Sequence, residues 1–147
     1  MPVGAALIDE EVAAKISFGD HGSTYGGNLL ACRAALCFLD ELVDGGLLAQ
    51  VNRVGRHFEM RLRSLAAKHS MVKDIRGSGL MWGLELSRDA APVVAAGLSR
   101  GVIVNRTAET VVRLLPPLVI TEPDADEALA RLDAALAAVA AEGGTAA

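Results

Sequence analysis

Aromatic residues make up only 3% of the 147-residue chain, and just three lysines (Lys15, Lys68 and Lys73) stand among its 14 basic side chains. With so few rings, the apolar 52% falls mostly to Ala, Leu and Val. That mass suits helices packed on a small sheet and does not suit a disordered tail. Basic residues are scattered rather than clustered, and the net charge is −4 with a pI near 5.3. Nothing here makes an electrostatic footprint for nucleic acid or for an anionic membrane surface. No apolar stretch reaches the roughly 18 residues of a membrane span. No basic segment and apolar core follow Met1, so no signal peptide is expected and the cytoplasm is the expected location. The two cysteines, Cys32 and Cys37, have no Cys or His partner at zinc spacing, so no metal site is expected. Both read as small buried residues of a reducing compartment.

By length the chain suggests a single domain, able to bury roughly 70% of its unfolded surface. Val3 to Ile8 is a short apolar run that fits a buried strand. Asp9-Glu10-Glu11 opens a short helix ending near Ile16. A glycine-rich loop spans Ser17 to Gly27, with Asn28 as an N-cap for a helix from Leu29 to Val43 that Gly45-Gly46 ends. A second helix, about Leu47 to Lys68, carries the apolar stripe Leu48, Val51, Val54, Phe58, Leu62 and Leu65. Val72 to Ile75 and Leu80 to Leu86 read as a hairpin about a turn at Arg76 to Gly79. A helix from Ala90 to Arg100 precedes two strands, Val102 to Asn105 and Val111 to Leu115. Thr121 and Asp124 make a capping-box-like start, with Pro123 in the first turn, for a helix running to about Ala141. Glu142 to Ala147 reads as a frayed end. The fold class is α/β, and the boundary falls near Ser70. Residues 1–70 then form one part and residues 71–147 a small α/β domain with a short, mainly antiparallel sheet.

The densest chemistry lies in Gly19-Asp20-His21-Gly22-Ser23-Thr24-Tyr25-Gly26-Gly27-Asn28. Glycines permit close backbone approach, Ser23 and Thr24 offer hydroxyl donors, and the loop enters a helix N-terminus whose free N–H groups favour an anion. It is neither a Walker A loop nor the dinucleotide fingerprint. On spacing alone, a phosphate cradle and a plain glycine-rich connection both remain open. Arg113, between apolar strand residues and ahead of Pro116-Pro117, is either a rigidly held carboxylate receptor or an exposed arginine on an edge strand.

The loop sequence, followed by an Ala/Cys-rich helix, resembles the conserved loop of class III pyridoxal-phosphate aminotransferases, most strongly the acetylornithine and ornithine branch. Further resemblances cover almost the whole chain. Pro2-Val3-Gly4-Ala5 is similar to the end of the family's lysine-containing segment. Val72 to Gly83 with Glu85-Leu86 resembles its VRGxGLMxGxEL hairpin, and Val112 to Leu118 its RxxPPL element.

The resemblance implies the C-terminal part of a type I pyridoxal-phosphate transferase fold, with residues 1–70 ending the large cofactor-binding domain. It implies that Ser23 and Thr24 contact the cofactor phosphate of a neighbouring subunit in a homodimer. It also implies that Arg113 binds a substrate carboxylate, the substrates being an ω-amino donor such as N-acetylornithine and 2-oxoglutarate. None of the three lysines matches the family's Schiff-base position, so that catalytic lysine is expected upstream of Met1 and the chain alone is expected to be inactive. The alternatives are a lysine-less scaffold that pairs with a full-length transaminase, and a free-standing small α/β interaction domain. Apolar surface of the first 45 residues is expected to be exposed without the rest of the large sheet. His21 reads as a loop residue, His57 and His69 as solvated, and Trp82 as core. Asp20 and Glu85 fall in separate segments and make no acid–base pair.

Overall fold

The computed structural model describes residues 2–143, which group into two compact units, 2–46 and 47–143. The division falls at Gly46–Leu47 and not near Ser70, because the helix after Leu47 supplies core to the sheet that follows it.

In the first unit, α1 (Glu10–Ala13) starts where the Asp9 carboxylate accepts from the Val12 amide at 2.8 Å. The helix α2 (Leu29–Val43) is capped as its sequence requires, with the Asn28 side chain accepting from the Ala31 amide at 3.1 Å. No residue of either helix is buried. The strand expected at Val3 to Ile8 does not form. A strand needs a ladder neighbour for its N–H and C=O groups, none exists among the described residues of this unit, and Leu7 is 93% exposed. For the same lack of a core, Cys32 and Cys37 are free and exposed instead of buried.

The second unit is a four-stranded antiparallel sheet with helices on one face. Its elements are α3 (Leu47–Ala66), β1 (Val72–Ser78), β2 (Met81–Leu86), α4 (Ala91–Ser99), β3 (Asn105–Thr107), β4 (Val111–Leu114) and α5 (Glu122–Gly143). The strand order is β1-β2-β4-β3. The α3 stripe buries Val54, Phe58, Leu62 and Leu65, while Leu48 at its start stays half-exposed. Trp82, Leu84 and Leu86 of β2 and Val112 and Leu114 of β4 point to the same core, joined by Leu129, Leu132 and Leu136 of α5. The Trp82 indole donates to the Gly79 carbonyl at 2.9 Å, so the one tryptophan brings no unpaired polar atom inside.

The β1–β2 hairpin closes through Gly79-Leu80 rather than through Arg76 to Gly79, so β1 runs on to Ser78. Gly79 has φ +56, and glycine at the first position of a two-residue loop matches the twist of the strands. Strand β3 lies later than expected, starting at Asn105. The Val102 amide is spent on the Gly97 carbonyl at 3.0 Å, closing α4, before any pairing begins. The helix α5 starts with the expected reciprocal cap. The Thr121 amide donates to Asp124 at 3.2 Å and the Asp124 amide to the Thr121 hydroxyl at 3.3 Å. It continues to Gly143, and residues 144–147 of the expected frayed end lie outside the described residues.

Candidate functional site

The glycine loop precedes α2 and is built from its own short contacts. The Asp20 carboxylate accepts from the Ser17 amide at 2.7 Å, and Gly19 takes φ +98 to make that bend. Ser23 Oγ accepts from the Gly26 amide at 3.0 Å, and the Asn28 amide donates to the Tyr25 carbonyl at 3.2 Å. The Ser23 hydroxyl hydrogen is thereby left free to donate. Thr24 is exposed and has no hydrogen bond among the described residues, and His21 and Tyr25 are exposed beside it. Two adjacent hydroxyl donors on such a turn have the chemistry to receive an anion.

The second site lies on the sheet face that the helices leave uncovered. Period-2 alternation puts Trp82 and Leu84 inside and Gly83 and Glu85 outside, as it puts Val112 and Leu114 inside and Arg113 outside. Arg76, Gly83 and Arg113 are direct partners across β1, β2 and β4. With Met81, Thr107, Ala108 and Val111 they line a depression of about 400 Å³. Its floor is bare at Gly83, where an added Cβ would stand 3.1 Å from Val111 Cγ1.

The two arginines differ. Arg76 is bound by Asp74 at 3.2 Å and by Glu85 at 2.7 Å. The hydrogen bonds it donates to Glu85 first and Asp74 second hold its guanidinium pKa above the usual value. Arg113 is exposed, donates through Nε to the Asn105 side-chain oxygen at 3.0 Å, and has no carboxylate partner among the described residues. Its terminal nitrogens can therefore take up a carboxylate in the forked geometry that guanidinium favours. Asn105, which orients Arg113, and the Arg76–Glu85–Thr110 chain were not singled out in the sequence. The alternation of Trp82, Leu84 and Leu86 with Gly83 and Glu85 was the available signal.

A separate apolar groove of about 360 Å³, between Leu115-Pro116-Pro117, Ile103 and α5, presents no charged side chain. Asp20 and Glu85 fall in different units, each with its own partners. His57 and His69 are not solvated as expected. Their Nε2 atoms meet Asp126 at 2.9 Å and Asp133 at 2.5 Å, and the His69 side chain is 9% exposed. Among the described residues no cluster of His, Cys, Asp or Glu could hold a metal ion, and no helix is long and apolar enough to cross a membrane.

A profile of the aminotransferase class-III family matches residues 1–136. The chain belongs to that family. It is 42% identical over 139 residues to acetylornithine aminotransferase of Caldanaerobacter subterraneus subsp. tengcongensis, covering 94% of this chain and 35% of that protein. It is 39% identical over 133 residues to the acetylornithine aminotransferase of Methanocaldococcus jannaschii, covering 90% of this chain and 33% of that one. Among solved structures it superposes with TM-score 0.79 on the ornithine aminotransferase of Toxoplasma gondii at 35% identity, over 90% of this chain and 32% of that one. The pyridoxal-phosphate aminotransferase fold is thus the fold of this chain, which spans about a third of the length of the relatives it matches.

The T. gondii structure is described with partial occupancy of pyridoxal phosphate at its active site. Among the described residues, the groups with the chemistry for such a cofactor are hydroxyl donors suited to its phosphate. Ser23 and Thr24 offer free hydroxyl donors. Of the lysines, Lys15 is paired with Glu11 at 3.3 Å and Lys68 with Asp133 at 2.9 Å, while Lys73 stands exposed on β1.

Proposed function

We propose that this chain is the C-terminal part of a pyridoxal-phosphate-dependent aminotransferase that moves an amino group from N-acetylornithine, or a related ω-amino donor, to 2-oxoglutarate. The observation that carries the substrate class is Arg113, an oriented guanidinium without a carboxylate partner beside a floor kept bare by Gly83. A keto acid or amino acid presents the carboxylate that this group lacks. The Arg113 guanidinium would hold that carboxylate, and Asn105 would keep it in one orientation. Ser23 and Thr24 would donate to the cofactor phosphate of a neighbouring subunit in a homodimer, and the cytoplasm is the compartment proposed. When bound, pyridoxal phosphate supplies the electron sink for proton removal at the carbon bearing nitrogen. The lysine amine for that step is not assigned to Lys15, Lys68 or Lys73, so the chain alone is read as inactive.

Two measurements test this. In the assembled holoenzyme, Arg113→Lys keeps the charge and loses the fork. The KM for 2-oxoglutarate should rise roughly tenfold to a hundredfold, as expected for a charged hydrogen bond worth about 1.5–3 kcal/mol. An unchanged KM would remove Arg113 from the substrate site. Pyridoxal phosphate added to the isolated chain and reduced with borohydride should label no single lysine. Specific labelling of one, Lys15 for example, would show that the chain carries a cofactor lysine of its own.

A further inference from the structure

The uncovered sheet face holds two cations and two anions in adjacent rows. The register aligns Arg76, Gly83, Arg113 and Asn105 across the four strands, with Asp74, Glu85, Val111 and Thr107 in the next row. Glu85 stands diagonal to both arginines. Its direct partners are Asp74 on one side and Val111 on the other, and each arginine lies two residues further along its strand. Diagonal neighbours on one face are within reach of long side chains. Glu85 bonds only one of the two. Its Oε2 accepts from Arg76 Nη2 at 2.7 Å, and its Oε1 accepts from Thr110 Oγ1 at 2.5 Å. Arg113 is left to the neutral Asn105.

Thr110 owes its place to a strained turn. Ala108 and Glu109 both have positive φ, +46 and +60, without being glycine. Such conformations persist only where surroundings fix them. The Glu109 carbonyl accepts from the Ala90 amide at 2.9 Å and from Arg106 Nε at 3.1 Å, which pins the turn to the start of α4 and to β3.

We infer that Arg76 and Thr110 are positioning residues that hold Glu85 away from Arg113, keeping that arginine free for the substrate carboxylate. The inference rests on the reading of Arg113 given above. A released Glu85 would reach Arg113 by the mirror-image diagonal contact and compete with the ligand. Hydrogen bonds from Thr110 and then Arg76 keep the Glu85 carboxyl below its usual range, so it is ionised at neutral pH and a real competitor. Gly83, between the two arginines in their row, puts no side chain in the way of either diagonal.

The test is a double-mutant cycle on the 147-residue chain, with glutarate as the probe and the backbone amides of β2 and β4 followed by NMR. Thr110→Val changes no charge, and Arg76→Met keeps the aliphatic stem on the sheet. Each should weaken glutarate binding roughly threefold to fivefold, the range of an exposed charge pair. Glu85→Gln should restore it in both backgrounds, and should tighten binding more there than in the unaltered chain. Two results would overturn the inference. One is unchanged affinity in both Thr110→Val and Arg76→Met. The other is a Glu85→Gln gain of the same size in every background, since Glu85 would then act through charge at a distance. Arg113→Gln separates the two readings. No response in the unaltered chain, or a response that survives Arg113→Gln, defeats the reading of Arg113 and the inference with it. Loss in Arg113→Gln without the coupling defeats the inference alone.

Discussion

Gly55 shows how a single residue decides between local preference and packing. It sits inside α3, where alanine would raise helix propensity by about 1 kcal/mol. Yet a Cβ at this point would lie 2.6 Å from the Gly79 carbonyl oxygen and 3.0 Å from its carbon. Those are backbone atoms of the β1–β2 turn and cannot rotate away. Packing wins: Gly55→Ala should lose about 1–3 kcal/mol, seen as a lower urea midpoint with unchanged slope. A raised midpoint would mean that the helix and the turn approach less closely. Gly83→Ala meets only a valine methyl at 3.1 Å, so its stability cost should be the smaller of the two. Neither glycine could be ranked from the sequence, because the close approach joins segments distant along the chain. The face that Arg113 occupies was legible, since a charged residue between apolar strand positions points away from the core. Arg76 and Glu85 belong to the same face, but their meaning depends on register, which spacing within one strand does not give.

Between elements, α3 and the turn that follows it are joined to α5 by more than apolar stripes. Asp126 of α5 meets His57 at 2.9 Å and Arg61 at 2.9 Å, and two turns later Asp133 meets Lys68 at 2.9 Å and His69 at 2.5 Å. The hydrogen bond from Lys68, then that from His69, lowers the Asp133 pKa, and His57 followed by Arg61 lowers that of Asp126. Both carboxylates are therefore ionised and accept, so each His Nε2 carries the proton. A folded pKa below the unfolded value gives stability that is present above the unfolded value, here 3.8, and lost as pH falls through the folded one. The urea midpoint should fall on acidification below about pH 4. Asp133→Ala should flatten that fall and cost about 1–3 kcal/mol at neutral pH by leaving the nearly buried His69 unpaired. An acid limb of unchanged steepness in Asp133→Ala would place the loss elsewhere. The helices themselves were readable from the sequence within a few residues, caps included, because 3.6-residue periodicity and Asn28 or Thr121 are local signals. The histidine–aspartate contacts were not, since they join positions more than sixty residues apart.

At the scale of the whole molecule, the buried apolar residues run from Val54 to Val139, and none of them comes from the first unit. The sequence suggested a boundary near Ser70 because the residue pattern changes there from helix to hairpin. The core instead takes in α3, whose Val54, Phe58, Leu62 and Leu65 would be stranded by a cut at that point. The strand expected at Val3 to Ile8 failed for a related reason. Its apolar run suits burial in a sheet, and the described residues of its unit supply no strand to pair with it. Leu29, Leu30, Phe38 and Val43 of α2 are likewise exposed, the surface of a helix that buries nothing here. A chain starting at Leu47 should therefore keep a single cooperative transition, with its melting temperature within a few degrees of the 147-residue chain, since core burial supplies the main folding drive. A chain starting at Ser70 should lose that transition, because Met71, Trp82 and Leu84 would then lack the α3 side of their core. If the Leu47 chain melted far lower, residues 2–46 would be contributing stability that their exposure does not explain. If the Ser70 chain melted normally, α3 would be an addition to a core that β1 to α5 complete by themselves.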